Sequence, residues 1–398
     1  MNITISPGKL QGDMTAIPSK SHAHRALICA AFSDDLTTII CPETNKDIEA
    51  TVDCLRALGA RIDRTDNGYT VRPIQEMPSV AELNCNESGS TLRFMLPVAG
   101  ALGVNATFHL SGRLPERPLS PLWEEMERMG CRLVRGKDGT VHCGGRLIPG
   151  EYKIAGNVSS QFISGLLFAL PLLDGISRLH IVGRVESRPY IELTKSVLRE
   201  FGVDPNLNAI RGCFPFRSPG TVFVEGDWSN AAFFYVANKI GSNVQINGLN
   251  QNSTQGDRAV VSILDTLDIS NSIDARDIPD LVPVLSVAAA AKTGATFKNI
   301  SRLRAKESDR VQSVIAMLRS LGVKAESTEN TLTIFPGQFH GGTVDSANDH
   351  RIAMSAAIAA TIAEGPVTII GAQCVEKSYP AFWDEYRRLG GNYEQYIR

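Results

Sequence analysis

The chain contains no run approaching the ~18 to 20 apolar residues that cross a bilayer. Its first residues, Met1 to Ser6, carry neither a basic stretch nor a continuous apolar one, so a secretory leader is not expected. Charge of one sign is also missing: 40 Lys and Arg stand against 42 Asp and Glu, a formal net charge of −2. A general binder of nucleic acid or of a membrane surface needs a broad basic field, and no basic patch interleaved with aromatics is present. Neither partner is expected. The eight cysteines, Cys213 among them, are scattered without a CxxC pair. In a chain of this size that spacing reads as reduced thiols rather than a disulfide framework. The cytoplasm is the simplest address.

Several familiar chemistries are excluded in the same way. There is no GxxxxGK[ST] loop for a nucleoside triphosphate and no GxGxxG after a strand. No HExxH or Cys/His spacing suggests a metal, and no GxSxG elbow presents a nucleophile. The expectation is chemistry without metal or cofactor.

What is present is repetition. A charged amphipathic helix that stops at a glycine recurs as Leu55–Gly59, Met126–Gly130, Leu198–Gly202, Leu318–Gly322 and Tyr386–Gly390, with a degenerate copy at Leu264–Asp268. Each glycine stands where a helix closes on a left-handed residue. The spacing of roughly 55 to 70 residues marks internal repeats. Between these signatures lie more apolar helices, near Ala23–Phe32, Thr91–Leu102, Phe162–Leu172, Ala231–Ile240, Leu281–Ala291 and Ile352–Ala363. They are apolar nearly all round, as helices buried inside a domain are. Alternating segments such as Thr107–Leu110, Leu179–Val182 and Val367–Ile370 read as strands. The sum is an α/β chain of six units, three per half, with buried helices inside and sheets outside, and a boundary near Gly226.

Polar residues gather at helix starts. Pro18-Ser19-Lys20-Ser21 runs through His22 and His24 to Arg25; Asn86-Glu87-Ser88-Gly89 opens the next apolar helix; Ser159-Ser160-Gln161 opens a third. Serine caps, exposed first-turn N–H groups and cations suit a phosphate or carboxylate. Any one of these segments is equally what a capped helix with solvated charges looks like. Later come Arg302 to Arg310, including Lys306-Glu307-Ser308-Asp309, and then Asn348-Asp349-His350-Arg351. On one continuous helix Lys306 and Arg310 would be like charges at i and i+4, a pair that costs stability unless an anion sits nearby. Arg351 can grip a planar anion with two parallel hydrogen bonds.

Taken in order, Pro18-Ser19-Lys20-Ser21 with Arg25, Lys306-Glu307-Ser308-Asp309-Arg310 and Asp349-His350-Arg351 resemble the 5-enolpyruvylshikimate-3-phosphate synthases over nearly the whole chain. The resemblance implies a two-domain inside-out α/β barrel of six βαβαββ repeats, three per domain, with the active site in the interdomain cleft. It implies one domain over residues 16–225 and a second built from 1–15 with 226–398. The implied reaction moves the carboxyvinyl group of phosphoenolpyruvate to the 5-hydroxyl of shikimate 3-phosphate, through a tetrahedral intermediate, with no cofactor and in a monomer. By the same resemblance Lys20 touches both substrates, while Ser21, Arg25, Ser159, Ser160, Gln161, Ser187, Tyr190 and Lys306 hold shikimate 3-phosphate. Gly89, Arg117, Gln161, Arg310, Arg351 and Lys377 line the phosphoenolpyruvate pocket. Asp280 takes the hydroxyl proton and Glu307 is the candidate proton donor. The alternatives are transfer to UDP-N-acetylglucosamine, disfavoured because the Leu114–Arg117 stretch has no reactive Cys, and an inactive repeat-built binding protein.

Overall fold

The computed structural model describes residues 1–212 and 216–396; Cys213 lies outside them. The other cysteines are buried free thiols. Among the described residues no helix is long and apolar enough to cross a membrane.

The chain divides into two compact units, Met1–Ile17 with Gly226–Arg398, and Pro18–Glu225. Ala16 and Ile17, placed by the sequence reading in the middle unit, belong to the first by their hydrogen bonds. The Ala16 N–H donates to Asn247 O at 2.9 Å and the Asp227 N–H to Ile17 O at 2.8 Å.

Each unit has its own core, built around three inner helices. In Pro18–Glu225 these are Lys20–Ala31, Gly89–Leu102 and Ser160–Ala169. In the other unit they are Trp228–Lys239, Val282–Ala291 and His350–Ala360. All six expected apolar helices are there, each buried along nearly its whole length, because none has a polar face to turn outward. Inside one of them Ser286 Oγ donates to Val282 O at 2.7 Å, one turn back on its own helix.

The charged helices Lys46–Ala57, Leu122–Arg128, Arg188–Glu200, Arg310–Ser320 and Phe382–Arg388 keep one face in solvent. They run out at Gly59, Gly130, Gly202, Gly322 and Gly390, all with positive φ between +74° and +109°, where a side chain would be strained. The degenerate copy is the helix Val260–Thr266, which continues into a right-handed Leu267 in place of the glycine turn.

Strands complete the pattern. Val80–Asn86 and Asn105–Leu110 run parallel on either side of the helix Gly89–Leu102, and Glu151–Ala155 and Ile176–Val182 flank Ser160–Ala169 in the same way. Ser272–Asp274 with Ala295–Lys298, and Gly342–Asp345 with Val367–Ile370, repeat the arrangement in the other unit. The remaining parallel pair of each unit joins strands far apart in sequence: Thr37–Ile40 with Thr221–Phe223, and Gln11–Thr15 with Asn243–Asn247. The first strand, Asn2–Ser6, lies antiparallel between Val367–Ile370 and Asn392–Tyr396, which fixes the start of the chain to the later half. Alternation sets the register: Val80–Asn86 is exposed and buried at every other residue, as a sheet with one face on a core must be.

One expectation fails here. Lys306 and Arg310 do not share a helix. A short 3-10 turn, Ser301–Ala305, ends in an extended Lys306, and a new helix begins at Arg310 with Asp309 as its cap. The Asp309 carboxylate accepts from Val311 N–H at 3.1 Å and Gln312 N–H at 3.2 Å, and that capping breaks the helix.

Helices Gly89–Leu102 and Ser160–Ala169 pack closely because Gly165 has no side chain. A Cβ there would run into the Arg93 carbonyl oxygen and stand 2.9 Å from Pro97 Cγ. Gly165→Ala is expected to lower stability by about 1–3 kcal/mol, the usual cost of overpacking, read from the denaturant midpoint; an unchanged midpoint would refute this packing.

Candidate active site

In the unit Pro18–Glu225 the three inner helices begin alike. Ser19, Ser88 and Ser159 cap them, accepting from His22 N–H at 3.4 Å, Thr91 N–H at 3.3 Å and Gln161 N–H at 3.2 Å. Since the helix bodies are buried, their first turns are where polar chemistry can be placed, and the candidate residues follow the caps directly.

Lys20, the first residue of its helix, pairs with Asp47 Oδ2 at 2.8 Å, both side chains 15% exposed. Five residues on, Arg25 is buried. Its Nη1 donates to Ser21 O at 2.6 Å, its Nε to Thr194 Oγ1 at 2.8 Å and its Nη2 to Tyr190 O at 3.1 Å. It also lies 5.0 Å from the centre of the Phe94 ring. Burial lowers its pKa to about 10, partly offset by Tyr190 and Cys29; it remains a cation at neutral pH. The sequence pointed to Arg25 as a ligand, and the structure adds that it ties Ser21 to the turn carrying Tyr190. Ser187 is buried and stands at φ +53° just before the helix Arg188–Glu200, with Tyr190 N–H donating to its carbonyl at 3.1 Å. Strained backbone of this kind gathers at functional sites.

Gly89 brings two guanidinium groups onto a helix start. A Cβ at this position would lie 2.6 Å from Arg117 Nη1 and 2.7 Å from Arg93 Nη1. Arg117, at the end of the turn Leu114–Glu116, was expected here. Arg93 was not. It is buried, donates through Nη1 to Gln161 Oε1 at 2.8 Å and lies 5.7 Å from the Phe162 ring centre. Gln161 in turn donates through Nε2 to Ser90 Oγ at 2.8 Å. Ser160, beside it, is buried. The available signal for Arg93 was an arginine set between Leu92 and Phe94 on a helix with no exposed face.

The other unit centres on Arg310, whose side chain is 1% exposed. Each of its nitrogens holds a different carboxylate: Nη1 reaches Asp280 Oδ1 at 2.5 Å, Nη2 Glu307 Oε2 at 2.6 Å and Nε Asp349 Oδ2 at 2.8 Å. Burial opposes its charge, but Asp349, Glu307 and Asp280 raise its pKa well above the ordinary value. Asp349, fully buried, also accepts from Ser308 Oγ at 3.1 Å and caps the helix His350–Ala360 through Arg351 N–H at 3.0 Å.

Asp280 meets two further cations, Lys306 Nζ at 3.5 Å and Arg351 Nε at 3.6 Å, while its backbone carbonyl accepts from Arg351 Nη1 at 3.2 Å. Burial alone would raise its pKa; Arg351, Lys306 and Arg310 outweigh that and hold it well below the usual carboxylate range. Asp280 is therefore ionised. Lys306 shows the opposite balance: burial dominates and lowers its pKa to about 8, despite Asp280. Lys377, also buried, donates to Asn348 O at 2.8 Å, in a turn where Ala347 and Asn348 both have positive φ.

The repeat fold and these two cation sets, one around a helix-start glycine and one around an ionised aspartate, define a transferase class that handles small phosphorylated and carboxylated substrates. The family model described as EPSP synthase (3-phosphoshikimate 1-carboxyvinyltransferase) matches residues 5–386, and the chain belongs to that family. Proteins named 3-phosphoshikimate 1-carboxyvinyltransferase from Clostridium beijerinckii and Clostridium acetobutylicum are each 39% identical to it. The alignments cover 99% of this chain with 99% and 98% of those proteins. In fold it is similar to EPSP synthase from Acinetobacter baumannii (TM-score 0.79, 24% identity, 99% of this chain and 100% of that one). It is also similar to the enolpyruvyl transferase NikO from Streptomyces tendae (TM-score 0.75, 18% identity, 99% and 98%).

The lowered Lys306 pKa has a consequence for ligand binding. With a native pKa near 8 against 10.5 unfolded, folding strains the charged form below pH 8, and that penalty fades as pH rises from 8 toward 10.5. An anion docked beside Lys306 restores the charge. Binding of inorganic phosphate is therefore expected to take up a proton above pH 8 and to weaken about tenfold per pH unit between 8 and 10 at most. Calorimetry in two buffers of different ionisation enthalpy measures both effects. Lys306→Arg should flatten the slope; an equal slope in that variant would rule Lys306 out.

Proposed function

We propose that the chain transfers the carboxyvinyl group of phosphoenolpyruvate to the 5-hydroxyl of shikimate 3-phosphate, releasing inorganic phosphate, in the step that leads toward chorismate and the aromatic amino acids. The observation that carries the reading is Asp280, an ionised carboxylate in contact with Lys306, Arg310 and Arg351. Two substrates with two phosphates and two carboxylates require such an excess of cations, and the reacting hydroxyl requires a base among them.

In this reading Lys20, Ser21, Arg25, Ser159, Ser160, Gln161, Ser187, Tyr190 and Lys306 hold shikimate 3-phosphate. Lys20, Gly89, Arg117, Gln161, Arg310, Arg351 and Lys377 hold phosphoenolpyruvate, with Arg93 added beside Arg117. In the addition step Asp280 takes the 5-hydroxyl proton as the oxygen bonds to the central carbon of phosphoenolpyruvate. Glu307 delivers a proton to the methylene carbon, giving a tetrahedral intermediate. In the elimination step the methyl carbon returns a proton to the Glu307 carboxylate, the bond from the central carbon to the phosphate oxygen breaks, and phosphate leaves with the proton that Asp280 had taken.

In this reading so acidic an aspartate acts as a base only once substrate is bound. Arg351 and Lys306 hold Asp280 ionised in the absence of ligand. Substrate anions that draw those cations away raise its affinity for a proton when the hydroxyl arrives. The reading carries with it a monomer working in the cytoplasm.

Phosphate release from phosphoenolpyruvate, with shikimate 3-phosphate or UDP-N-acetylglucosamine as acceptor, tests the proposal. Release is expected with the first acceptor only, and Asp280→Asn is expected to slow it by roughly 10²- to 10⁴-fold, the usual worth of a general base. Release only with the nucleotide sugar, or none with either acceptor from folded protein, would overturn it.

A further inference from the structure

Behind the helix starts of the unit Pro18–Glu225 runs a line of buried polar groups that the reaction as described does not use. His24 Nδ1 lies 2.7 Å from Thr51 Oγ1, Thr51 Oγ1 lies 2.7 Å from Thr91 Oγ1, and Thr91 Oγ1 lies 2.7 Å from Ser88 Oγ. All four residues are at most 1% exposed. Burial, helped by Lys20 and Arg25, holds the His24 pKa well below its ordinary value, so the imidazole is neutral. The protons then fall into one order. Thr91 donates to Ser88, Thr51 donates to Thr91, and His24 donates through Nδ1–H to Thr51, with every hydroxyl in between giving once and accepting once.

The line joins three helices. His24 belongs to Lys20–Ala31, Thr51 to Lys46–Ala57 and Thr91 to Gly89–Leu102. Thr91 is its junction. Its backbone N–H and its hydroxyl both reach the Ser88 cap, at 3.3 and 2.7 Å. The hydroxyl accepts from Thr51, one turn along its helix from Asp47, and the Asp47 carboxylate is the group that holds Lys20. A buried threonine that only filled space could satisfy its hydroxyl on its own helix, as Ser286 and Thr361 do. Thr91 instead joins the cap in front of Gly89 to the tether of Lys20.

We infer that Thr91 is a positioning residue of the transferase, registering the Gly89 helix start and its guanidinium pair against the Lys20 ammonium. The inference rests on the function proposed above. Thr91 touches no substrate there; it acts through Ser88, Asp47 and Lys20. Its loss would leave the charges in the site and spoil their spacing, and misplacement on the order of 1 Å can cost about 100-fold in rate.

The test compares Thr91→Val, which keeps the shape and removes the hydroxyl, with Thr91→Ser, which keeps the hydroxyl, and with Thr51→Val one link further back. Steady-state kinetics, thermal unfolding and calorimetric binding of phosphoenolpyruvate are measured for each. Thr91→Val is expected to lose roughly 10- to 100-fold in kcat/KM, mostly as a higher KM for phosphoenolpyruvate, while folded at the assay temperature. Thr91→Ser should recover to within a few-fold of wild type. Because the groups form one line, Thr51→Val combined with Thr91→Val should be no worse than Thr91→Val alone. Wild-type KM in a Thr91→Val protein that is merely less heat-stable would overturn the inference, as would failure of Thr91→Ser to recover or full additivity of the pair. Should Thr91→Val not fold, Thr51→Val carries the same comparison of KM with stability. An inactive wild type would instead count against the proposed function, and weaker phosphoenolpyruvate binding by Thr91→Val would then still decide the positioning role.

Discussion

Burying an apolar helix on every side leaves its first-turn N–H groups as the polar surface it can still offer, and much of the site arrangement in this protein follows from that constraint. The inner helices have no face to give to solvent, so a ligand meets them at their starts. In the unit Pro18–Glu225 three serine caps satisfy one N–H each. The residues just after the caps are Lys20 and Ser21, Gly89 and Ser90, and Ser160 and Gln161. Anions are favoured at such ends by the helix dipole, and arginines brought against them add full charges. Gly89 shows how tight the arrangement is, since the space a methyl group would need is occupied by Arg93 and Arg117.

The other unit keeps the Asp280 carboxylate charged among cations. Arg310 is held by three carboxylates at once, and its burial makes each of them matter, because removing one partner of a buried ion pair commonly costs about 3–5 kcal/mol. Asp349 links that hub to the cap of the Arg351 helix. Asp280 thereby sits beside cations whose positions are set by the fold, and its charge state follows from them rather than from exposure to water.

The sequence disclosed the repeat well, and for a physical reason. Glycines at left-handed helix ends and helices without a polar face leave marks that need no partner to be read, so Gly59, Gly130, Gly202, Gly322 and Gly390 all stand at helix ends with positive φ. The site was legible where residues cluster along the chain, as in Lys20–Arg25 and Lys306–Arg310. It was hidden where a contact joins distant segments. Asp47 holding Lys20, Thr51 holding Thr91 and Asp349 holding Arg310 are pairings that no local spacing announces. The helix break after Lys306 was missed because Lys306 and Arg310 were set on one continuous helix, whereas Asp309 caps a new one. That the first strand lies in the later half followed from family resemblance; composition alone gave no sign of it, since strand pairing across the length of the chain has no local signature.

The central claim is that this arrangement breaks a carbon–oxygen bond of phosphoenolpyruvate by addition and elimination, rather than moving its phosphoryl group. The direct test is to supply phosphoenolpyruvate labelled with heavy oxygen at the bridge between its central carbon and phosphorus, together with unlabelled shikimate 3-phosphate, and to weigh both products. The account predicts that the label leaves entirely with phosphate and that the new ether oxygen is the unlabelled 5-hydroxyl oxygen of the acceptor. Label retained on the three-carbon fragment would mean phosphorus–oxygen cleavage, and would contradict it.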